Sequence, residues 1–360
     1  MKRIGILTSG GDCQGLNPAL RGLAKALYEQ FEEPEIYGFA DGYRGLIEQD
    51  YRLMHQGDFA HTLTQGGTIL GTSRQPFKTM LTAQGDLTEK VSAMKKTYRA
   101  LKLDALAILG GNGTHKTANL LAREGLNIVT LPKTIDNDIW GTDVTFGFHS
   151  ALNVATKVID CIRTTATSHG RIFIVEIMGH KAGWLALYAG LAGGADIILL
   201  PEIPYSVSKV AKAIKPKERM GKSDRSYSII SVAEGAMTKE YAALDKKDRK
   251  KADEKNVHPS KAYELAAALQ KYTDQEVRVC VPGHIQRGGS PVPFDRMLCT
   301  RLGAAAAAMI REKKFGFMAA VRGDSIVPVP LEEVAGKLKT VPADCDAVRC
   351  AREIGICMGD

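Results

Sequence analysis

The sequence has no long apolar run. Its first apolar stretch is only residues 4–7, and nothing in it approaches the ~20 apolar residues of a membrane span. No signal peptide and no membrane partner are therefore expected, and the chain reads as cytoplasmic. The seven cysteines, at 13, 161, 280, 299, 345, 350 and 357, show neither a metal-ligand spacing nor a paired framework. Their odd number points to reduced thiols. There is no tandem repeat and no low-complexity linker. Neither Gly-Gly turn, at 10–11 or at 110–111, fits a common phosphate-binding signature: neither has the Gly-Lys-Ser/Thr ending of a P-loop or the G-x-G-x-x-G dinucleotide fingerprint.

Charge excludes a further class. Lys and Arg exceed Asp and Glu by 48 to 40, a net charge of +8. The basic residues are spread out, and no stretch interleaves them with aromatics, so no nucleic-acid partner is expected. The one dense run, Lys246–Lys255, contains acids and lacks an apolar face, which makes it a solvated loop or exposed helix. The excess instead suits phosphorylated substrates.

What is present is glycine. There are 36 residues of it, many in turns directly after apolar runs, as in chains that hold phosphates with their backbone. A length of 360 residues allows a large core and two lobes. Strands are expected over 3–8, 36–40, 105–109, 127–131, 171–177, 197–200, 227–232 and 276–281. Helices are expected over 18–30 (with Asn17 as N-cap and Pro18 in first position), 91–102, from a cap at Thr114 to about 124, 148–165, 183–192, 206–219, 260–271 and 296–313. This alternation gives an α/β fold: two doubly wound lobes with mainly parallel sheets flanked by helices, and the active site in the cleft between them.

Three stretches carry chemistry. Gly10-Gly11 and Gly110-Gly111 each follow a strand and precede a helix, where paired glycines admit a phosphate and the helix start supplies N–H groups. Residues 131–138, Leu-Pro-Lys-Thr-Ile-Asp-Asn-Asp, follow the strand that Pro132 is expected to end. Alone, such a stretch reads as a solvated turn. Beside two glycine turns, its Asp136 is the candidate base for phosphoryl transfer, Asp138 a magnesium ligand, and Lys133 a phosphate contact just beyond the strand. Downstream, Arg278 and His284 would share a face of an extended segment, with Arg287 in the following turn, making a cationic pocket for a phosphate monoester.

Taken together, Thr8-Ser9-Gly10-Gly11-Asp12, Pro132-Lys133-Thr134-Ile135-Asp136-Asn137-Asp138, Ile177-Met178-Gly179 and Gly283-His284-Ile285-Gln286-Arg287-Gly288-Gly289 resemble the motifs of the phosphofructokinase family, in that family's order and to about residue 325. The resemblance implies transfer of a phosphoryl group to O1 of fructose 6-phosphate, giving the 1,6-bisphosphate of glycolysis, with magnesium. It makes Asp136 the base, with Thr134 and Ile135 beside it. Arg171, Arg278, His284 and Arg287 would hold the sugar phosphate. Met178, Gly179, His180, Glu234, Ile285 and Gln286 would line the sugar side. Gly11, Arg74, Gln75, Gly111, Asn112, Gly113 and Thr114 would serve the nucleotide. The implied lobes are 1–140 plus about 296–325 for the nucleotide and 141–295 for the sugar phosphate, with 326–360 as an extension. Since Arg171 and Arg278 would reach a neighbouring subunit's site, a homodimer or homotetramer is implied.

The chain also departs from that pattern. Asn112 replaces the aspartate that usually helps hold magnesium, which shifts that duty towards Asp138, and His180 stands where many relatives have arginine. Gly113 leaves room for a nucleotide α-phosphate and points to ATP as donor, whereas Lys133 resembles pyrophosphate users. Glycine here is the mark of the ATP-dependent members of a mixed subgroup. Of the family's effector cations, Arg21 and Lys25 match, but Gln56 and Tyr227 replace an arginine and a histidine, so little response to ADP or phosphoenolpyruvate is expected. A pyrophosphate-dependent or dual-donor enzyme and a phosphosugar-binding regulator are the alternatives. A NAD or lipid kinase would leave His284–Arg287 without a role.

Overall fold

The structure is a computed structural model that describes residues 2–214 and 226–360. The chain opens with β1 (Arg3–Ser9), α1 (Leu16–Gln30), β2 (Glu35–Phe39), α2 (Tyr43–Glu48), β3 (Tyr51–Met54), α3 (Glu89–Ala100), β4 (Ala105–Gly110), α4 (Asn112–Arg123), β5 (Ile128–Thr134) and the short β6 (Phe146–Gly147). Helix α5 (Phe148–His169) leads to β7 (Ile172–Ile177), α6 (Trp184–Ala192), β8 (Ile197–Leu199), α7 (Val207–Ala213), β9 (Ser228–Ala233), α8 (Lys239–Ala243), α9 (Lys246–Lys255), α10 (Lys261–Leu269) and β10 (Val277–Cys280). Then come α11 (Pro293–Arg311), β11 (Phe317–Arg322), β12 (Ser325–Pro330), α12 (Leu331–Val334) and α13 (Asp346–Glu353). The part of the expected 206–219 helix after residue 214 lies outside the described residues. No helix among the described residues is long and apolar enough to cross a membrane.

Two compact units divide the chain: Met1–Ala151 with Arg287–Lys339, and Leu152–Gln286 with Thr340–Asp360. The borders expected near 140 and 296 therefore fall at 151 and 287, and the stretch 326–360 is shared between the units at residue 339. In the first unit the sheet has eight strands in the order β12-β11-β5-β4-β1-β2-β3, with β6 continuing beside β5. The inner pairs are parallel and both edge pairs antiparallel. Strands β4 and β5 are buried throughout, and β1 nearly so, which is why they read as unbroken apolar runs rather than as alternating ones. From β1 the chain runs outward to β2 and β3 and then returns on the other side with β4. The gap between β1 and β4 is thus a switch point, where open α/β sheets bind ligands at the carboxyl ends of their strands.

Pro132 does not end β5. Its cross-strand partner is Gly110, the last residue of β4, so the missing N–H falls where that ladder stops, and β6 takes over the pairing of Lys133 and Thr134. The two expected caps also differ. α1 begins at Leu16 after Gly15. Asn17 is spent on the loop opposite, where its Nδ2 donates to the carbonyls of Gln65 and Gly66 at 3.2 Å and its Oδ1 accepts from Ile69 N–H at 2.7 Å. Thr114 lies inside α4, and its hydroxyl donates to the Ser9 carbonyl at 3.4 Å.

The second unit holds a four-stranded parallel sheet in the order β10-β7-β9-β8. Its outer side at β8 is extended by the last residues: Ile198 N–H donates to the Cys357 carbonyl at 2.9 Å, and Cys357 N–H to the Asp196 carbonyl at 3.1 Å.

In the first unit α1 and α11 meet backbone to backbone. A Cβ on Gly22 would lie 2.8 Å from Thr300 Cα, and one on Gly303 within 2.8 Å of the Ala19 carbonyl and nearer still to Leu23 N. Gly303→Ala is expected to destabilise the first unit by about 1–3 kcal/mol in denaturant unfolding. Gly57→Ala is the control, because a Cβ there meets nothing within 4 Å, and it should shift stability by less than ~0.5 kcal/mol.

Candidate active site

In the first unit, register sets Ser9, Gly110 and Pro132 side by side across β1, β4 and β5. β1 and β4 open there into turns, and β5 runs on for two residues beside β6 before its own. Gly10 takes φ +87°, its N–H donates to the Ser73 carbonyl at 3.1 Å, and its carbonyl accepts from Thr72 Oγ1 at 2.7 Å. This lays the 71–74 loop on the turn and leaves Arg74 exposed at its end. Gln75 is half-buried, with its Oε1 taken by Lys90 Nζ at 2.9 Å.

Of the two expected anion-binding helix starts, one is closed. Cys13 through Leu16 are buried, the Cys299 thiol donates to the Gly15 carbonyl at 3.1 Å, and a Cβ on Gly15 would come 2.8 Å from the Phe146 ring. The start of α4 is open. Its ladder begins with His115 N–H to the Gly111 carbonyl at 3.0 Å, which leaves the N–H groups of Asn112, Gly113 and Thr114 outside it. Gly113 is exposed, its φ is not in the left-handed region, and a Cβ on it would meet nothing within 4 Å.

His115 was not expected from the sequence to have a part here. It is fully buried, and its Nδ1 donates to the same Gly111 carbonyl at 2.8 Å. Burial lowers its pKa to about 4, so the ring is neutral with its proton on Nδ1. Two donors on one carbonyl fix the Gly111–Asn112 peptide and therefore the direction of the Asn112 N–H.

Lys133 lies within β5 rather than beyond it, and it is buried. Its ammonium donates to the Gly11 carbonyl. Burial pulls its pKa down, while Asp136 and Asp12 support its charge. Arg287 belongs to this unit. Its Nη1 donates to the Asp12 carbonyl at 2.8 Å and lies over Gly11, where a Cβ would come 2.8 Å from it.

Asp136 follows β5 in a bend, with its N–H donating to Thr134 Oγ1 at 3.0 Å. Asp138 is bound by Asn112, whose Nδ2 donates to its Oδ2 at 2.7 Å and to its carbonyl at 3.2 Å. Burial pushes the Asp138 pKa up, and the bonds from Asn112 and Thr134 and the charge of Lys133 oppose this. An aspartate at 112 would set two carboxylates against each other here.

The second unit gathers the expected sugar-side residues at the carboxyl ends of β7, β9 and β10. Glu234 Oε1 accepts from the N–H groups of Gly179 at 3.2 Å and His180 at 2.7 Å, and Gln286 Oε1 from Met178 N–H at 3.2 Å. Glu234 and Gln286 therefore hold the 178–180 loop. Gly179 (φ +147°) and exposed His180 (φ +43°) both have positive φ, a strained state for His180. The predicted shared face of Arg278 and His284 is not formed. β10 stops at Cys280, Gly283 takes φ +54°, and exposed His284 and Ile285 sit in the 3₁₀ turn Gly283–Arg287. Arg171 and Arg278 instead share one carboxylate, that of Glu276.

Comparison with known proteins agrees with these motifs. The family model described as phosphofructokinase matches residues 3–310. The chain belongs to the phosphofructokinase family. It is 53% identical to the ATP-dependent 6-phosphofructokinase of Spirochaeta thermophila, covering 100% of this chain and 98% of that one, and 47% identical to that of Propionibacterium freudenreichii subsp. shermanii, covering 99% of each. Among solved structures, Pichia pastoris phosphofructokinase superposes with a TM-score of 0.78 at 31% identity over 92% of this chain, which spans 35% of that longer one. A pyrophosphate-dependent phosphofructokinase from Marinobacter aquaeolei, at 22% identity and a TM-score of 0.77 over 100% of this chain and 93% of its own, shares the fold.

The donor set of this family member suits magnesium carried on a nucleotide. Asn112 Oδ1 is buried without a hydrogen-bond partner beside the Asp138 carboxylate. Among the described residues no group of three or more His, Cys, Asp or Glu could hold a metal. One carboxylate and one amide oxygen are what magnesium takes from a protein when phosphates and water supply the rest. Elsewhere in the first unit, Arg21, Lys25 and Gln56 line one cavity of about 410 Å³ together with Tyr28 and Glu29. Tyr227 is in the second unit and accepts from Arg163 at 3.3 Å.

The buried neutral His115 sets a pH dependence. Above its ordinary value of 6.5 the ring is neutral whether folded or unfolded; between 6.5 and about 4 the unfolded chain takes the proton and the folded one does not. Stability therefore falls as pH falls through that window, by up to about 3 kcal/mol from this group. Comparing urea unfolding of the wild type and His115→Gln near pH 7 and near pH 4 should show the variant free of that part of the loss.

Proposed function

We propose that the chain is an ATP-dependent 6-phosphofructokinase that transfers the γ-phosphoryl group of ATP to O1 of fructose 6-phosphate, giving fructose 1,6-bisphosphate in glycolysis. It is a phosphotransferase with an alcohol acceptor. The first unit holds the donor. N–H groups at the open start of α4, with Gly11 and Arg74, receive the phosphates; Asp138 and Asn112 Oδ1 would hold magnesium beside them, which would supply charge neutralisation. Asp136 takes the proton from O1 of the sugar, and the Thr134 hydroxyl holds the Asp136 backbone beside it. Ile135, buried between them, keeps that turn in place.

In the second unit the 178–180 loop meets the sugar, and His284 the 6-phosphate. Arg171 and Arg278 lie at the β7–β10 side of their sheet, and we assign them to a neighbouring copy's site in a homodimer or homotetramer. Gln56 and Glu29 leave few cations in the Arg21 cavity, so response to ADP or phosphoenolpyruvate is small. The enzyme works in the cytoplasm.

Gly113 is the observation that carries the choice of donor. Glycine in a helix costs about 1 kcal/mol relative to alanine, and here neither φ nor packing requires it. The empty volume above it is what a nucleotide α-phosphate needs. Lys133, by contrast, already bonds the Gly11 carbonyl and has a structural role whichever donor is used.

Fructose 1,6-bisphosphate formation with ATP and with pyrophosphate in parallel tests this reading. Turnover is expected with ATP, and turnover with pyrophosphate alone would overturn it. Gly113→Asp should fold normally and lose ATP turnover by about 100-fold or more, because a carboxylate then faces the phosphate. Asp136→Asn should still bind fructose 6-phosphate by calorimetry while kcat falls about 10²–10⁴-fold; an unchanged kcat would remove Asp136 as the base.

A further inference from the structure

Lys339 lies beyond the stretch that the family model matches, in the part of the sequence with the fewest readable signals. Its backbone N–H donates to the Asp138 carbonyl at 2.9 Å, and Leu338 bridges to Ile139. Its side chain is half-buried, and the ammonium donates to Asn137 Oδ1 at 2.9 Å, to the Thr142 carbonyl at 2.9 Å and to the Asp143 carbonyl at 2.8 Å. An ammonium has three N–H donors, and here each has an acceptor on one loop.

The two ends of that loop are held differently. At the far end, Thr142 Oγ1 accepts from Val321 N–H at 2.9 Å, and Asp143 Oδ2 from Gly323 N–H at 2.7 Å, so residues 142–143 are fixed to the β11–β12 hairpin. At the near end Asn137 lies in neither strand nor helix and takes φ +51°, and its Oδ1 accepts from Thr145 N–H at 3.1 Å as well as from Lys339. Lys339 ties this near end to the fixed one. An apolar side chain of similar length would fill the same space but make none of these three bonds, so space filling does not explain a lysine here.

We propose that Lys339 is a positioning residue for phosphoryl transfer: it clamps the 136–138 turn, which carries Asp136 and Asp138, to the β11–β12 hairpin. It touches no reacting atom. This rests on the reading of Asp136 as the base, and it places a determinant of turnover in the chain's last segment of the first unit.

The test uses the full-length protein with Lys339→Met, which keeps the bulk and removes the donors, and Lys339→Gln, which keeps two N–H groups. Hydrogen exchange over 136–143 should rise in Lys339→Met while exchange in β7 and β9 stays at the wild-type rate. kcat should fall about 10–100-fold, with KM for fructose 6-phosphate within about 2-fold of the wild type. Lys339→Gln should recover part of both. Wild-type exchange over 136–143 in Lys339→Met would overturn the clamp. So would a fall in kcat matched by a rise in KM and by no recovery in Lys339→Gln. Should Lys339→Met fail to fold, Lys339→Gln against the wild type gives the same two readouts. Exchange is read without substrate, so a wild type that forms no fructose 1,6-bisphosphate would defeat the proposed function while the clamp is still decided.

Discussion

One row of the first sheet sets everything near it. Ser9, Gly110 and Pro132 are consecutive partners across three parallel strands, and strands lie about 4.8 Å apart. Three chain segments therefore leave the sheet close together and in the same direction, the third two residues beyond this row, after Thr134. From the first comes the turn that the 71–74 loop covers; from the second, a helix start with free N–H groups; from the third, the two aspartates. A parallel sheet is what makes this possible, because it sends like ends to the same edge, and the reversal of strand order between β1 and β4 keeps a helix from filling the space.

Much of this arrangement is written locally. The runs 105–109 and 127–131 are apolar without alternation because both faces of β4 and β5 are covered, and the glycine turns and the aspartates follow directly from them. Where local reading failed, a distant partner had intervened. Asn17 and Thr114 have the chemistry of caps, but the carbonyls of Gln65, Gly66 and Ser9 claim them. Pro132 ends a strand only if a neighbour needs its N–H, and β4 stops at that residue. His115 and Lys339 carry no local signal at all. The first matters through a carbonyl one helical turn back and the second through acceptors some 200 residues earlier in sequence.

In the second unit the motifs were legible as a set, whereas the division of labour within them was not. Glu234 and Gln286 belong to the same stretches as residues that would meet a sugar, yet each uses an oxygen to hold backbone N–H groups of the 178–180 loop. That support allows His180 to keep a positive φ, with Gly235 beside it leaving room for the His180 carbonyl. A sequence pattern cannot separate a residue that touches a ligand from one that shapes the loop doing so. The shared hold of Arg171 and Arg278 on Glu276 is likewise a matter of neighbouring strands, since β10 and β7 pair in parallel.

The division of the chain into units has a consequence for its synthesis. Residues 1–151 cannot complete their sheet until β11 has been made to lie beside β5, and residues 152–286 lack the bond partners of Asp196 and Ile198 until Cys357 has been made. Neither unit can therefore finish folding while most of the chain is still emerging from the ribosome. Once made, the edges of β5 and β8 remain unpaired through about half of translation, open to other nascent strands. Each unit is thus completed by a late segment of the chain, residues 287–339 for the first and 340–360 for the second.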